Sequence, residues 1–263
     1  MDYLVVCSVA LVASALTLFS GFGLGTLLLP AFILFFEPAV AVAATAVVHL
    51  FNSIVKLGAV GRRADLRVVV RFGGPAILAS ACGAALLLAL GEPGAIATYE
   101  WFGERRITPI GLVIGVLILA FAGLELWPRL EKLEFGARAM PIGGAISGFF
   151  GGLSGHQGAL RSAFLVRAGL DTQAFVGTTA AIAAVVDITR IGVYFLGWRF
   201  FAKDLGALSG EHLPLVVAGC LAAMVGVFAG VRLVRKVTMR GIRLLVAAML
   251  AATGLAMASG ILS

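Results

Sequence analysis

The sequence predicts an all-α polytopic membrane protein of two inverted repeats, each a broken-helix or re-entrant hairpin followed by three transmembrane helices. Three observations predict it. Apolar residues make up 61% of the 263 residues and charged residues only 13%, against about 45–50% and about a quarter in soluble domains. Two long apolar regions are each interrupted midway by a glycine-rich string. The basic residues sort to one side of a bilayer only if the second of these regions enters and leaves on the same face.

A soluble fold of this length has too little interior to hide so much apolar surface. The mean hydropathy of +1.08 therefore excludes a cytoplasmic enzyme, a nucleic-acid binder and a secreted disulfide scaffold. The net charge of +7 reads as loop bias that orients the chain, with no nucleic-acid partner expected. Cys7, Cys82 and Cys220 are far apart in apolar stretches and read as small core residues, with no metal-binding spacing and no cofactor expected. No Lys or Arg precedes the first apolar run, so that segment is expected to stay in the fold.

Charge-free windows place the spans at 3–36, 38–55, 72–91, 107–124, 139–160, 172–186, 213–231 and 244–263. Most are close to the ~20 residues that cross a hydrocarbon core. The first is too long for one crossing and is broken at Gly21-Phe22-Gly23-Leu24-Gly25. The region 139–169 is broken by the string from Gly151 to Gly158. Such breaks read as discontinuous helices with their tips in the membrane. Eight plain spans would set nine basic residues against eight, which gives no orientation. Letting 139–169 return to its own side gathers thirteen on one face and leaves four on the other.

The halves also resemble each other. Thr45 and Thr179 stand near the start of matching helices, and Lys56-Leu57-Gly58 matches Arg190-Ile191-Gly192 at the same offset. Residues 1–127 form the first repeat, 128–138 a cytoplasmic linker and 139–263 the second repeat. This is the plan of secondary transporters, with the site where broken helices meet. Glycines at Gly111 and Gly115, at Gly144, Gly148 and Gly152, and at Gly226 and Gly230 are spaced for close helix contact. Trp101, Trp127 and Trp198 fall at expected span ends, where interfacial anchors belong.

A charged side chain at the bilayer centre costs about 2.5–3.5 kcal/mol, so the intramembrane polar residues are the functional candidates. Thr45, His49, Asn52 and Lys56 recur at spacings of four, three and four, which puts them on one helix face. Asp187 and Arg190 are three apart and pair on one face; Arg190 would hold an anion while Asp187 balances it or takes a proton. The second break supplies Ser154, His156, Gln157 and Gly158, with Arg161 in the first turn of the helix that follows. Free N–H groups at a helix start beside an arginine favour an anion with a compact, multi-oxygen head. Gly23 and Gly25 offer the same backbone opportunity without side-chain charge. The substrate-binding candidates are thus Arg161, Gln157, His156, Gly158, Gly23, Gly25, Thr45, Asn52, Thr179 and Arg190. The candidates for ion or proton coupling are Asp187, His49, His156 and Lys56, since histidine titrates nearest neutrality. No catalytic residue is expected.

Two rival classes share these residues. An anion channel would use the same pore chemistry without saturation or coupling. An intramembrane serine hydrolase would use Ser154 with His49, although the order in the chain is the reverse of the rhomboid one.

The motifs carry a family resemblance. Pro30-Ala31-Phe32, the AVAAT of Ala41–Thr45, the NSIVK of Asn52–Lys56 and the following RRADLR loop resemble the TauE/SafE sulfite exporter family. So do SGFFGGLSGHQGALRSAFL (Ser147–Leu165) and the GTTAA that follows. The resemblance spans almost the whole chain. It implies a multi-pass permease of the bacterial inner membrane for small sulfur-containing anions such as sulfite, sulfoacetate and related organosulfonates, coupled to an ion gradient. The family's breaks run roughly GxGGG; His156 and Gln157 depart from this in the second half. That makes His156, Gln157 and Arg161 the expected determinants of what is selected. The partners expected are the anion and the lipid bilayer, and a homo-oligomer is compatible with the plan.

Overall fold

The computed structural model describes residues 1–16, 24–91, 94–101, 103–126, 135–166, 168–200, 213–233 and 239–262. Within them the chain forms α1 (Asp2–Leu16), α2 (Leu24–Ile33), α3 (Pro38–Val60), α4 (Leu66–Leu90), α5 (Pro109–Leu126), α6 (Met140–Ser154), α7 (Gly158–Leu165), α8 (Thr172–Phe200), α9 (Leu213–Leu233) and α10 (Met239–Ala258). By length and composition, α3, α4, α8 and α9 are suited to cross a membrane. Beside the second break α6 is short: it has 15 residues, about 22 Å at 1.5 Å per residue and less than the ~30 Å hydrocarbon core. The outward faces are apolar: Leu78 on α4, Phe228 on α9 and Leu255 on α10 are all exposed, as lipid-facing positions should be. The all-α multi-pass class read from the sequence is the class observed.

Helix packing follows a pattern. α4 lies along α6 and α1 along α9; α5 lies along α10 and α3 along α8; α4 touches α8 and α9 touches α3. Exchanging α1–α5 with α6–α10 turns each of these pairs into another or into itself. Glycine makes the closest of them possible. A Cβ on Gly144, Gly148 or Gly152 of α6 would run into the carbonyl of Phe72, Ala76 or Ser80 on α4. Both rows advance by four residues, so the two helices stay in register along their length. Gly226 and Gly230 press on the carbonyls of Leu11 and Ala15 of α1 in the same way. Gly115 meets the Gly254 carbonyl of α10, 2.8 Å from where its Cβ would stand. Without a hydrophobic drive between helices in lipid, such backbone approach supplies the dispersion contacts that hold the bundle.

The structure corrects the extent of the second break. Gly151-Gly152-Leu153-Ser154 remain helical, and α6 ends at Gly155, whose φ of 80° is left-handed. Only Gly155, His156 and Gln157 separate α6 from α7. Gly152 belongs to the face packed on α4, so close packing offsets its poor helix propensity. The charges did not end helices either: α3 continues past Lys56 and α8 past Asp187 and Arg190. Between the windows 72–91 and 107–124 the chain forms an antiparallel hairpin of β1 (Ala97–Glu100) and β2 (Glu104–Ile107). Tyr99 of β1 donates its hydroxyl to the Ser259 carbonyl beyond α10. Trp101 stands exposed at the hairpin tip, not on a helix end. Cys220 is buried, Cys7 half-buried, but Cys82 faces outward, so the core reading fails for Cys82.

Candidate functional site

The stripe on α3 faces inward. Thr45, His49 and Asn52 are buried, and Lys56 is half-buried. Ser14 of α1 lies 2.6 Å from Asn52 Oδ1 and 2.7 Å from the Ala223 carbonyl of α9. This neutral trio ties α1, α3 and α9 together.

Opposite His49, α8 presents Asp187, fully buried, as the centre of the polar cluster. His49 Nδ1 lies 2.5 Å from Asp187 Oδ2. Asp187 Oδ1 accepts from Arg190 Nε at 2.9 Å and from Gln157 Nε2 at 3.0 Å. Arg190 Nη2 sits 2.8 Å from the same oxygen, within ion-pair distance but off the hydrogen-bond direction. Arg190 Nη1 donates to the Gly151 carbonyl at 3.1 Å, and Tyr194 donates its hydroxyl to the Gly152 carbonyl. Both carbonyls lie in the last turn of α6; that of Gly151 also accepts the Gly155 N–H at 3.0 Å, so Arg190 takes its second lone pair. Arg190 is therefore occupied by Asp187 and by the end of α6.

Gln157 joins this pair to Arg161. Its Oε1 accepts from Arg161 Nη1 at 2.9 Å while its Nε2 donates to Asp187. The reverse amide orientation would set oxygen against carboxylate, so the network fixes the assignment. Arg161 is 7% exposed, and no carboxylate lies within ion-pair distance of it among the described residues. Its Nε has no hydrogen-bond partner there, and neither do Thr45 Oγ1 and His156 Nε2. Even with both histidines neutral, two guanidiniums face one carboxylate. Among the described residues, the buried cluster carries an excess positive charge.

The second break lies between these groups. Gly155 abuts Arg190 on one side, and on the other its carbonyl oxygen lies 2.8 Å from where a Cβ of Gly25 would stand. That same Cβ position is 3.6 Å from the Thr45 methyl. The start of α2 thus meets the second break backbone to backbone. Gly158 opens α7 and is buried. His156 stacks on Phe121 of α5, with ring centroids 4.9 Å apart and planes at 16°.

Of the residues singled out in the sequence, His49, Gln157, Arg161, Asp187 and Arg190 form one connected network. Thr45, Gly25, His156 and Gly158 adjoin it. Asn52 is bonded within the Ser14 trio instead. Thr179, half-buried, donates to the Val176 carbonyl of its own helix at 3.1 Å; its neighbour Thr178 accepts from the Asp65 N–H at 2.9 Å and fixes the start of α4. Gly23 lies outside the described residues. The Ser154 hydroxyl donates to the Phe150 carbonyl at 3.1 Å, and its imidazole neighbour is His156 at 3.2 Å, whereas His49 is engaged by Asp187. The Ser154–His49 dyad of the hydrolase reading is not formed.

A family model for the sulfite exporter TauE/SafE matches residues 6–257, nearly the whole chain. The chain belongs to the TauE/SafE family. No curated protein and no solved structure matches it. As a TauE/SafE member it is a multi-pass membrane transporter with a small anion as its substrate, and the family assigns it transport rather than catalysis.

Sequence reasoning missed Ser14, Phe121 and Tyr194. Tyr194 carried a usable signal: Asp187, Arg190 and Tyr194 follow at spacings of three and four, one face of α8. Ser14 and Phe121 carried none, because a serine or phenylalanine in an apolar helix is unremarked without its neighbours.

Proposed function

We propose that the chain is a secondary transporter of the bacterial plasma membrane that carries sulfite, sulfoacetate or a related organosulfonate by alternating access. The observation that carries this reading is the buried guanidinium of Arg161, which has no carboxylate within ion-pair distance among the described residues. A charge in that position is stable only with a counter-charge or a dense set of hydrogen bonds; an oxyanion supplies both. Arg161 holds the anion through charge-assisted bonds, taking it in exchange for the neutral Gln157 oxygen. Gly158, the N-terminus of α7 and Thr45 complete the cradle, with Gly25 bringing backbone close on the other side.

Coupling is placed on His49 and Asp187. A proton arriving at this pair weakens the hold of Asp187 on Gln157 and Arg190, which changes the contacts among α3, α8 and the break. Movement follows from the plan of residues 1–127 and 139–263 as two repeats of opposite orientation, joined by the linker 128–138. The exchangeable packing pairs support such a plan, with one repeat rocking against the other around a fixed site.

A thermal-shift screen of detergent-purified protein tests the reading. The panel holds sulfite, sulfoacetate, other sulfonates, thiosulfate, sulfate and matched carboxylates. A ligand at about 100 times its dissociation constant stabilises by about 2.7 kcal/mol. The expected result is a selective shift with sulfur oxyanions that Arg161→Ala abolishes while the variant remains folded. Equal shifts in wild type and Arg161→Ala would move the anion elsewhere.

A further inference from the structure

His156 is 2% exposed and held from three sides. Phe121 stacks on its ring face. Its Nδ1 lies 3.1 Å from the Ser154 carbonyl and 3.2 Å from Ser154 Oγ. A carbonyl oxygen only accepts. Ser154 Oγ has already given its proton to the Phe150 carbonyl, so it too faces His156 as an acceptor. Two acceptors at Nδ1 require that nitrogen to carry the proton, and in a neutral ring Nε2 is then a bare acceptor. Nε2 is buried without a hydrogen-bond partner among the described residues. Of the other buried atoms without a hydrogen-bond partner, Arg161 Nε and Arg190 Nη2 are donors, the latter within ion-pair distance of Asp187, and Thr45 Oγ1 is a hydroxyl that serves either way.

The neighbourhood of the second break therefore asks for two different things. Arg161 asks for negative charge. His156 asks for a hydrogen-bond donor. We infer that His156 is a specificity-determining residue, and that the site selects a monoanion bearing its own O–H, with the charge on Arg161 and the O–H directed to His156 Nε2. This inference rests on the anion reading above and narrows its substrate class. A protonated oxyanion such as hydrogen sulfite, or a hydroxylated sulfonate, satisfies both groups; an anion with a methyl in place of the O–H leaves Nε2 buried and unpaired, which is penalised.

Hydrogen sulfite and methanesulfinate are the deciding probes, because both are monoanions with two unprotonated sulfur-bound oxygens and differ by O–H against CH₃. Their dissociation constants are measured by titration calorimetry on wild type, His156→Phe and Arg161→Ala in mildly acidic buffer. Wild type is expected to prefer hydrogen sulfite by about tenfold, the scale of one buried hydrogen bond. His156→Phe preserves the stack on Phe121 but accepts nothing; it should weaken hydrogen sulfite about tenfold and leave methanesulfinate unchanged. Equal affinity of wild type for the two probes, with both lost in Arg161→Ala, overturns the role of His156 and leaves the anion site standing. Failure of wild type to bind either probe overturns both readings. Should His156→Phe fail to fold, the wild-type ratio alone decides.

Discussion

The two ends of the polar interior are built on different chemistry. Where α1, α3 and α9 meet, Ser14, Asn52 and the Ala223 carbonyl form a neutral trio. Where α3, α8 and the second break meet, Asp187, Arg190 and Arg161 are charged and buried, linked through His49 and Gln157. The helix pairs around them exchange with one another, yet of these charges only Arg190 has a charged counterpart, Lys56 at the same offset in α3. Exchangeable packing can thus surround a polar cluster that is not itself exchanged: packing needs only glycine and apolar bulk at matching places, whereas an ion pair needs particular side chains. The first break contributes backbone, through Gly25, and the second contributes side chains.

Removing the charge at the centre should break this contrast most severely. Asp187→Ala leaves two buried guanidiniums without a carboxylate and should destabilise by about 3–5 kcal/mol, read as a large fall in the thermal unfolding midpoint in detergent. The neutral trio should respond far less, with Asn52→Ala costing about 1 kcal/mol in the same assay. Comparable losses at the two positions would show that the charged centre is no more than structural glue.

The next effect sharpens the frame. Gly148→Leu on α6 drives a side chain into the Ala76 carbonyl of α4 and should cost about 1–3 kcal/mol or more. An unchanged unfolding midpoint would mean that α4 and α6 are not packed in this register. The smallest effect probes the meeting of the breaks. Gly25→Ala places a methyl 2.8 Å from the Gly155 carbonyl oxygen, closer than a Cβ stands to backbone, so the start of α2 or the second break must shift. A stability change of only about 1 kcal/mol is expected, with anion affinity reduced more than stability. Unaltered affinity would detach Gly25 from the site.

Much of this was legible before any coordinates. The membrane class followed from composition, because apolar surface on this scale has no other home. The α3 stripe and the Asp187–Arg190 pair followed from helical spacing, which is local. The three glycine series followed from their spacings of four, although their partners did not. What stayed hidden was long-range. The contact of His49 with Asp187 joins residues 138 positions apart, and nothing in either neighbourhood names the other. The stack of Phe121 on His156 is invisible for the same reason. The second break was read too long because glycine is ambiguous: it marks a turn at Gly155 and a packed helix face at Gly152, and only the presence of α4 separates the two meanings.

Asp187 accepts from α3, from the break and from its own helix at once. Its partners cannot leave one by one, since each departure strands charge in a medium that screens poorly. The carboxylate therefore acts as a latch, released as a unit or not at all. On the alternating-access reading proposed above, such a latch would suppress leak through half-open intermediates, and turnover would be slow and strongly temperature-dependent, set by how often it lets go.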